Sequence, residues 1–254
     1  VCVSGRRDYQ EPGLWSLNAN LKQGCGILLI ASVALLSILA LLPDADVDHD
    51  AGYTASELSI RETVDENVTS TSYVNSDGGI TDAIDTGYAT VCRMRDDNDR
   101  VVEERYLDAS GNPVARYGDY YGLSYEYEEA STVITYLDAK GNPMKRSAGY
   151  TTIVRTRAGG RTSDDFYYDL NGRQVQCSGG YYGLHREYNF DGQNISVTFL
   201  DKDGHAVCTS LGYAGVTYQR DGNGTVVGEQ YFDTEWNPVK NSLGQYGELY
   251  QRNE

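Results

Sequence analysis

The chain is short of histidine, cysteine and cations, and each shortage removes a class of function. Three histidines occur in 254 residues, His49, His185 and His205. None stands in a HExxH metal pattern, beside a GxSxG elbow or in a catalytic cysteine pattern. There is no phosphate-binding loop, and no cofactor is expected. Five cysteines, an odd number spread from Cys2 to Cys208, match neither a disulfide framework nor a zinc site. Lysine and arginine total 21 against 37 acidic residues, a net charge of −16, so the attraction that dominates nucleic-acid binding is reversed in sign. Phenylalanine is scarce too, 4 residues against 22 tyrosines. Rings that pack therefore carry hydroxyls that must reach water or a partner, which suits a thin stack of hairpins better than a thick globular core.

What is present in abundance is repetition. YLDASGNPV from Tyr106 returns as YLDAKGNPM from Tyr136, YYDLNGRQV from Tyr167, FLDKDGHAV from Phe199 and YFDTEWNPV from Tyr231, with a degenerate copy, YVNSDGGIT, from Tyr73. Successive starts lie 33, 30, 31, 32 and 32 residues apart, a period that marks a repeat architecture. About fourteen residues into each copy comes a second landmark: Gly87-Tyr88, Gly118 with Tyr120, Gly149-Tyr150, Gly180-Tyr181, Gly212-Tyr213, Gly244 with Tyr246. A strand-like stretch and another turn cluster follow. The turn chemistry is explicit in Asp138-Ala-Lys-Gly141, where Asp opens a type I turn and Gly tolerates positive φ at its end. The Asn-Pro that follows blocks a helix. Between turns, Ile195, Val197 and Phe199 alternate with Ser196, Thr198 and Leu200, the period of two of a strand. The expected fold is all-β, a tandem β-hairpin array of about five and a half copies over residues 73–254.

YYDLNGRQV and FLDKDGHAV resemble the YD repeats of RHS-type bacterial surface and toxin proteins, with their Tyr-Asp-x-x-Gly-Arg signature. The resemblance implies a hairpin array outside a bacterial cell. RHS chains carry many more copies and usually a toxin tip, so the toxin role does not carry over.

Ahead of the repeats, GILLIASVALLSILALL occupies residues 26–42 without a charge, at the short end of what spans a bilayer. Arg6, Arg7 and Lys22 precede it and PDADVDHD follows, which by the positive-inside rule puts residues 1–25 in the cytoplasm and the repeats outside. A single-pass membrane protein anchored by this transmembrane helix is expected, with residues 43–72 an acidic, Ser/Thr-rich stalk in which a capping box at Thr54 nucleates a helical turn. The incomplete last copy and the opening Val suggest a piece of something longer.

Candidate sites are few. Stacked copies would align Tyr121, Tyr150, Tyr182 and Tyr213 into a ladder able to bind sugar rings or proline-rich segments. Packing of these rings copy on copy is the favoured alternative. Cys177 and Cys208 lie ten and nine residues after the start of neighbouring copies, and an oxidising exterior would permit a disulfide. DKDG at Asp201 begins like a calcium loop, yet Gly212 stands where a bidentate Glu is needed. Glu126, Glu128 and Glu129 read as a solvated strand face rather than a glycosidase pair. No metal and no nucleic acid are expected. The reading is a membrane-anchored, non-catalytic extracellular module, a spacer or a binding ectodomain for cell-wall glycan or a surface protein. The alternative is an accessory array of a larger membrane enzyme, such as a transferase, whose catalytic part lies upstream.

Overall fold

A computed structural model of the chain describes residues 53–159 and 161–250. They form one open sheet of thirteen strands, ordered as in the sequence and antiparallel throughout. After a single 3-10 turn, Ala55–Glu57, come β1 (Ser59–Asp65), β2 (Val68–Val74), β3 (Thr90–Arg95), β4 (Val101–Leu107), β5 (Gly122–Tyr127), β6 (Ser131–Leu137) and β7 (Thr152–Ala158). Then follow β8 (Thr162–Tyr168), β9 (Gly183–Tyr188), β10 (Asn194–Leu200), β11 (Gly215–Arg220), β12 (Val226–Phe232) and β13 (Gly247–Leu249). The tandem hairpin expectation holds. Short turns join odd strands to even ones, and a longer connection leads from each even strand to the next odd one.

That longer connection begins with an aspartate loop. Asp108 Oδ1 accepts from the N–H groups of Ser110 (2.9 Å) and Asn112 (2.8 Å), and Gly111 closes the turn at φ +82°. The same bonds recur from Asp138, Asp169, Asp201 and Asp233. Backbone donation, from Asn112 first, holds the exposed Asp108 carboxyl below its ordinary value. A bridge back to the strand end follows, Leu107 to Pro113 in this copy. The chain then makes a second turn and delivers an aromatic ring, Tyr120 here, beside the strand's own Tyr106.

These two rings per copy build the core. Tyr73, Tyr88, Tyr106, Tyr120, Tyr136 and Tyr150 touch in succession, and Tyr167, Tyr181, Phe199, Tyr213 and Tyr231 continue the row. Centroids lie 4.3 to 5.9 Å apart without a gap. Each such contact contributes about 0.5–1.5 kcal/mol beyond its buried area. Beside the spine runs a row of aliphatic residues, Val91, Ile153, Leu184 and Val216, all buried.

Two expectations are corrected. Among the described residues no helix is long and apolar enough to cross a membrane. The described residues therefore do not supply the transmembrane helix expected ahead of the repeats, nor the membrane anchoring, the membrane as partner and the single-pass topology with a cytoplasmic N-terminus that rested on it. The described chain satisfies its backbone groups between neighbouring strands, and its single helical turn is three residues long. The apolar run 26–42 on which the expectation was placed lies outside the described residues, as does segment 1–25. Residues 43–72, expected as a stalk, contain β1 and most of β2 from Ser59 onward. The Ser/Thr-rich sequence hid these strands because hydroxyl pairs replace apolar alternation there: Ser72 and Thr90 meet at 2.9 Å, buried between β2 and β3.

Candidate functional site

The structure divides the four ladder tyrosines. Tyr150 and Tyr213 belong to the spine, each 3% exposed. Tyr121 and Tyr182 do not, since the spine runs through the residues before them, Tyr120 and Tyr181. Both half-buried rings sit at the bend where β5 and β9 begin, the place of Ala89, Thr151 and Ala214 in other copies, as the matching bonds from strand to bend show. A one-residue offset separates a core ring from a peripheral one. Tyr-Tyr pairs at 120–121 and 181–182 leave that choice to the fold.

The same offset separates the cysteines. Cys177 N–H donates to the Tyr181 carbonyl, and the matching bond in the next copy runs from Thr209 to Tyr213. Cys208 therefore stands one residue before the position equivalent to Cys177. Cys177 is buried, Cys208 is exposed, and both are free thiols.

At the Cys177 position two earlier copies place arginines. Arg146 is 5% exposed and donates to Asp119 Oδ2 (2.8 Å), to the Tyr136 hydroxyl (3.0 Å) and to the Tyr150 hydroxyl (3.2 Å). Its guanidinium lies over the rings of Tyr120, Tyr136 and Tyr150. Arg116 repeats the arrangement over Tyr88 and Tyr106, donating to the Tyr106 hydroxyl. Sequence reasoning missed both, although their spacing of one repeat was visible.

Two residues before the strand aromatic, the copies alternate between acid and aliphatic: Glu104, Ile134, Asp165, Val197, Glu229. Asp165, 1% exposed, accepts from Arg155 Nε (2.7 Å), Arg155 Nη2 (2.8 Å) and Arg186 Nη1 (2.6 Å). Burial opposes its charge, yet the Arg155 hydrogen bonds and the Arg186 charge outweigh that and hold the carboxyl below its ordinary range. Glu104 accepts from Arg93 Nε (2.8 Å) and from the Tyr106 and Tyr125 hydroxyls.

On the opposite side of the sheet, register brings Asp164, His185 and Thr198 into one lateral row across β8, β9 and β10. Asp164 Oδ1 lies 2.6 Å from His185 Nδ1, which fixes the imidazole against the carboxylate. With Phe166, Leu200, Asp203 and Gly204 they line an open cleft of about 500 Å³. Phe166 lies across Gly183, where a Cβ would come 2.7 Å from its ring and 2.5 Å from the Asp165 carbonyl. The N–H groups of Asp203, Gly204 and His205 are committed to Asp201, so that loop offers the cleft no free donors. The row presents an oriented imidazole to an open cleft, and separations of 21 and 13 residues between its members gave no local motif. Among the described residues no group of three or more acidic, histidine or cysteine side chains is placed to hold a metal ion.

No family model matches the chain, and no curated protein matches it significantly.

Proposed function

We propose that the chain is a non-catalytic tandem hairpin module of the YD-like kind, working outside the cell as a spacer of defined length. The observation that carries this is the unbroken aromatic spine. Eleven rings, contributed by every copy from Tyr73 to Tyr231, are spent on holding copy to copy. Neighbour-only contacts of this kind make length additive in the number of copies. Thirteen strands at the usual spacing span about 60 Å, and each copy adds about 10 Å.

The test is removal of one copy, residues 138–168, which joins Leu137 to Asp169 in the register of the original turn. The maximum dimension in solution X-ray scattering should fall by about 10 Å with cooperative unfolding retained. Collapse of the shortened chain, or an unchanged dimension, defeats the spacer reading. Inaccessibility of the repeats to added protease on intact cells defeats the extracellular part.

A binding role for cell-wall glycan or a surface protein rests on the half-buried Tyr121 and Tyr182 and on the Asp164–His185 cleft. Retention of the purified chain on cell-wall glycan, abolished by Tyr182→Ala without unfolding, is the result that favours it over a plain spacer. Tyr150→Ala and Tyr213→Ala are expected to unfold the chain instead, because those rings are spine.

A further inference from the structure

The cleft on the sheet face opposite the spine offers acceptors and almost no donors. Asp164, His185, Thr198 and Asp203 line it beside Phe166 and Leu200, and no arginine or lysine does. Asp164 gives its Oδ1 to His185 Nδ1 at 2.6 Å. A carboxylate only accepts, so the imidazole hydrogen sits on Nδ1, and the neutral ring keeps Nε2 as a further acceptor. Among the described residues nothing donates to Asp164 Oδ2 or to the Asp203 carboxylate. The N–H groups of the neighbouring loop are taken by Asp201. The Asp164 and His185 side chains nonetheless stay 42% and 33% exposed. Two carboxylates with no lining cation call for a ligand that brings both donors and positive charge.

Register extends the cleft sideways as two parallel rows. The polar one runs through Ser131, Thr156, Asp164, His185 and Thr198. The apolar one runs through Val133, Val154, Phe166 and Leu200, with Gly183 between the last two. From β6 to β10 these rows extend about 19 Å at the usual strand spacing. A ligand matched to them is long, with one apolar face and one edge of donors. A chain of pyranose rings has that form, since its C–H faces lie on apolar side chains while its hydroxyls project at the rim. Acidic sugars are repelled by Asp164 and Asp203. An N-acetyl group sets a carbonyl acceptor where the cleft already supplies acceptors. A free amine sets three donors and a positive charge there.

We propose that this cleft takes a linear glycan whose units carry a free amine. The ammonium bonds the Asp164 and Asp203 carboxylates, the ring C–H groups rest on Phe166, and hydroxyls meet His185 Nε2 and Thr198. This names the sugar class within the glycan-binding role and rests on that role. A basic peptide brings the charge without the flat C–H face or the row of hydroxyls.

The full chain is titrated at pH 7 with the linear tetramer of glucosamine, its N-acetylated counterpart and tetralysine, followed by isothermal titration calorimetry. The amine tetramer should bind about tenfold tighter than the acetylated one, and less tightly as salt is raised. Asp164→Asn keeps an acceptor for His185 and should remove most of that preference, as should Asp203→Asn. Asp97→Asn, an equal change of charge in the exposed turn between β3 and β4, should leave it intact. Far-UV circular dichroism checks that each variant is folded. Equal or tighter binding of the acetylated tetramer overturns the inference and leaves the glycan-binding role standing. Tetralysine bound as tightly as the amine tetramer overturns it in favour of a basic peptide. Loss of the preference in Asp97→Asn overturns it as well, since attraction to the acidic chain as a whole then explains the binding. Failure of all three probes at millimolar concentration also overturns it, and retention on cell-wall glycan decides the broader role separately.

Discussion

The spine from Tyr88 to Tyr150 and the spine from Tyr167 to Tyr231 follow one backbone plan with different chemistry. In the first half Arg116 and Arg146 lie over the rings and bond their hydroxyls, and Asp119 closes the second clamp. In the second half Cys177 and Thr209 take the arginine positions and Phe199 removes one hydroxyl altogether. The first half meets its spine hydroxyls with arginines from the turn positions, while in the second half a strand arginine, Arg186, lies close enough to Tyr167 and Tyr181 to act on their phenols. Ring-to-ring spacing is alike in both, so the repeat geometry is set by backbone and turns while the polar accounting is solved locally.

The largest expected effect appears in alkali, where the two halves should behave alike. Burial pushes the Tyr88 and Tyr120 phenols up to about 12, with the Arg116 cation offsetting part of the rise, and it raises Tyr106 and Tyr150 of the same half further, as it does Tyr167 and Tyr213 of the other. The unfolded chain ionises its tyrosines near pH 10 while the folded chain keeps them protonated. The stabilisation is therefore complete below pH 10 and lost as pH climbs toward 12. Phenolate absorbance should rise together with loss of circular dichroism, and amide protection should fail along the whole spine, in residues 83–150 and 167–231 alike. Gradual phenol titration with the sheet intact would show that the rings are not the core.

Next in size is the clamp itself. Arg146→Met leaves Asp119 buried without its cation and should cost about 3–5 kcal/mol in denaturant unfolding. Cys177→Ala, at the same place in the other half, should cost about 1 kcal/mol. A double change, Arg146→Met with Asp119→Asn, should recover part of the loss. Equal costs at the two positions would erase the distinction drawn between the halves.

The smallest effect concerns the turns, which both halves share. Asp99 and Trp236 hold φ of +61° and +63°, where most of the aspartate loops place glycine. Asp99→Gly should stabilise the chain by about 1 kcal/mol. Trp236→Gly should gain less or lose, because it also removes a ring that packs 5.1 Å from Phe232. Thermal unfolding of the two variants side by side decides it.

These contrasts also show how far the sequence could be read. The period of about 32, the aspartate-and-glycine turns and the all-β class were legible because each is written within nine consecutive residues. The Asp119–Arg146 clamp spans 27 residues, the Asp164–His185–Thr198 row spans 34, and the arginines that meet Asp165 come from β7 and β9 on either side of it. None has a local signature, since each exists only once strand register is fixed. Tyr121 and Tyr182 were singled out one residue away from the rings that pack. A shift of one position along a strand moves a side chain out of its row, and no pattern of period 32 resolves a step of one. The strands β1 and β2 were hidden for a related reason: their pairing is carried by hydroxyls that also suit a solvated linker.

What the sequence determined by itself is therefore the repeat, its turns and the supply of one strand aromatic per copy, because turn geometry is dictated by neighbours along the chain. What only the tertiary structure decided is which ring of each Tyr-Tyr pair is buried and which acids find arginines. Those outcomes depend on side chains from different strands meeting in space, and it is the hydrogen-bonded register that sets the meeting.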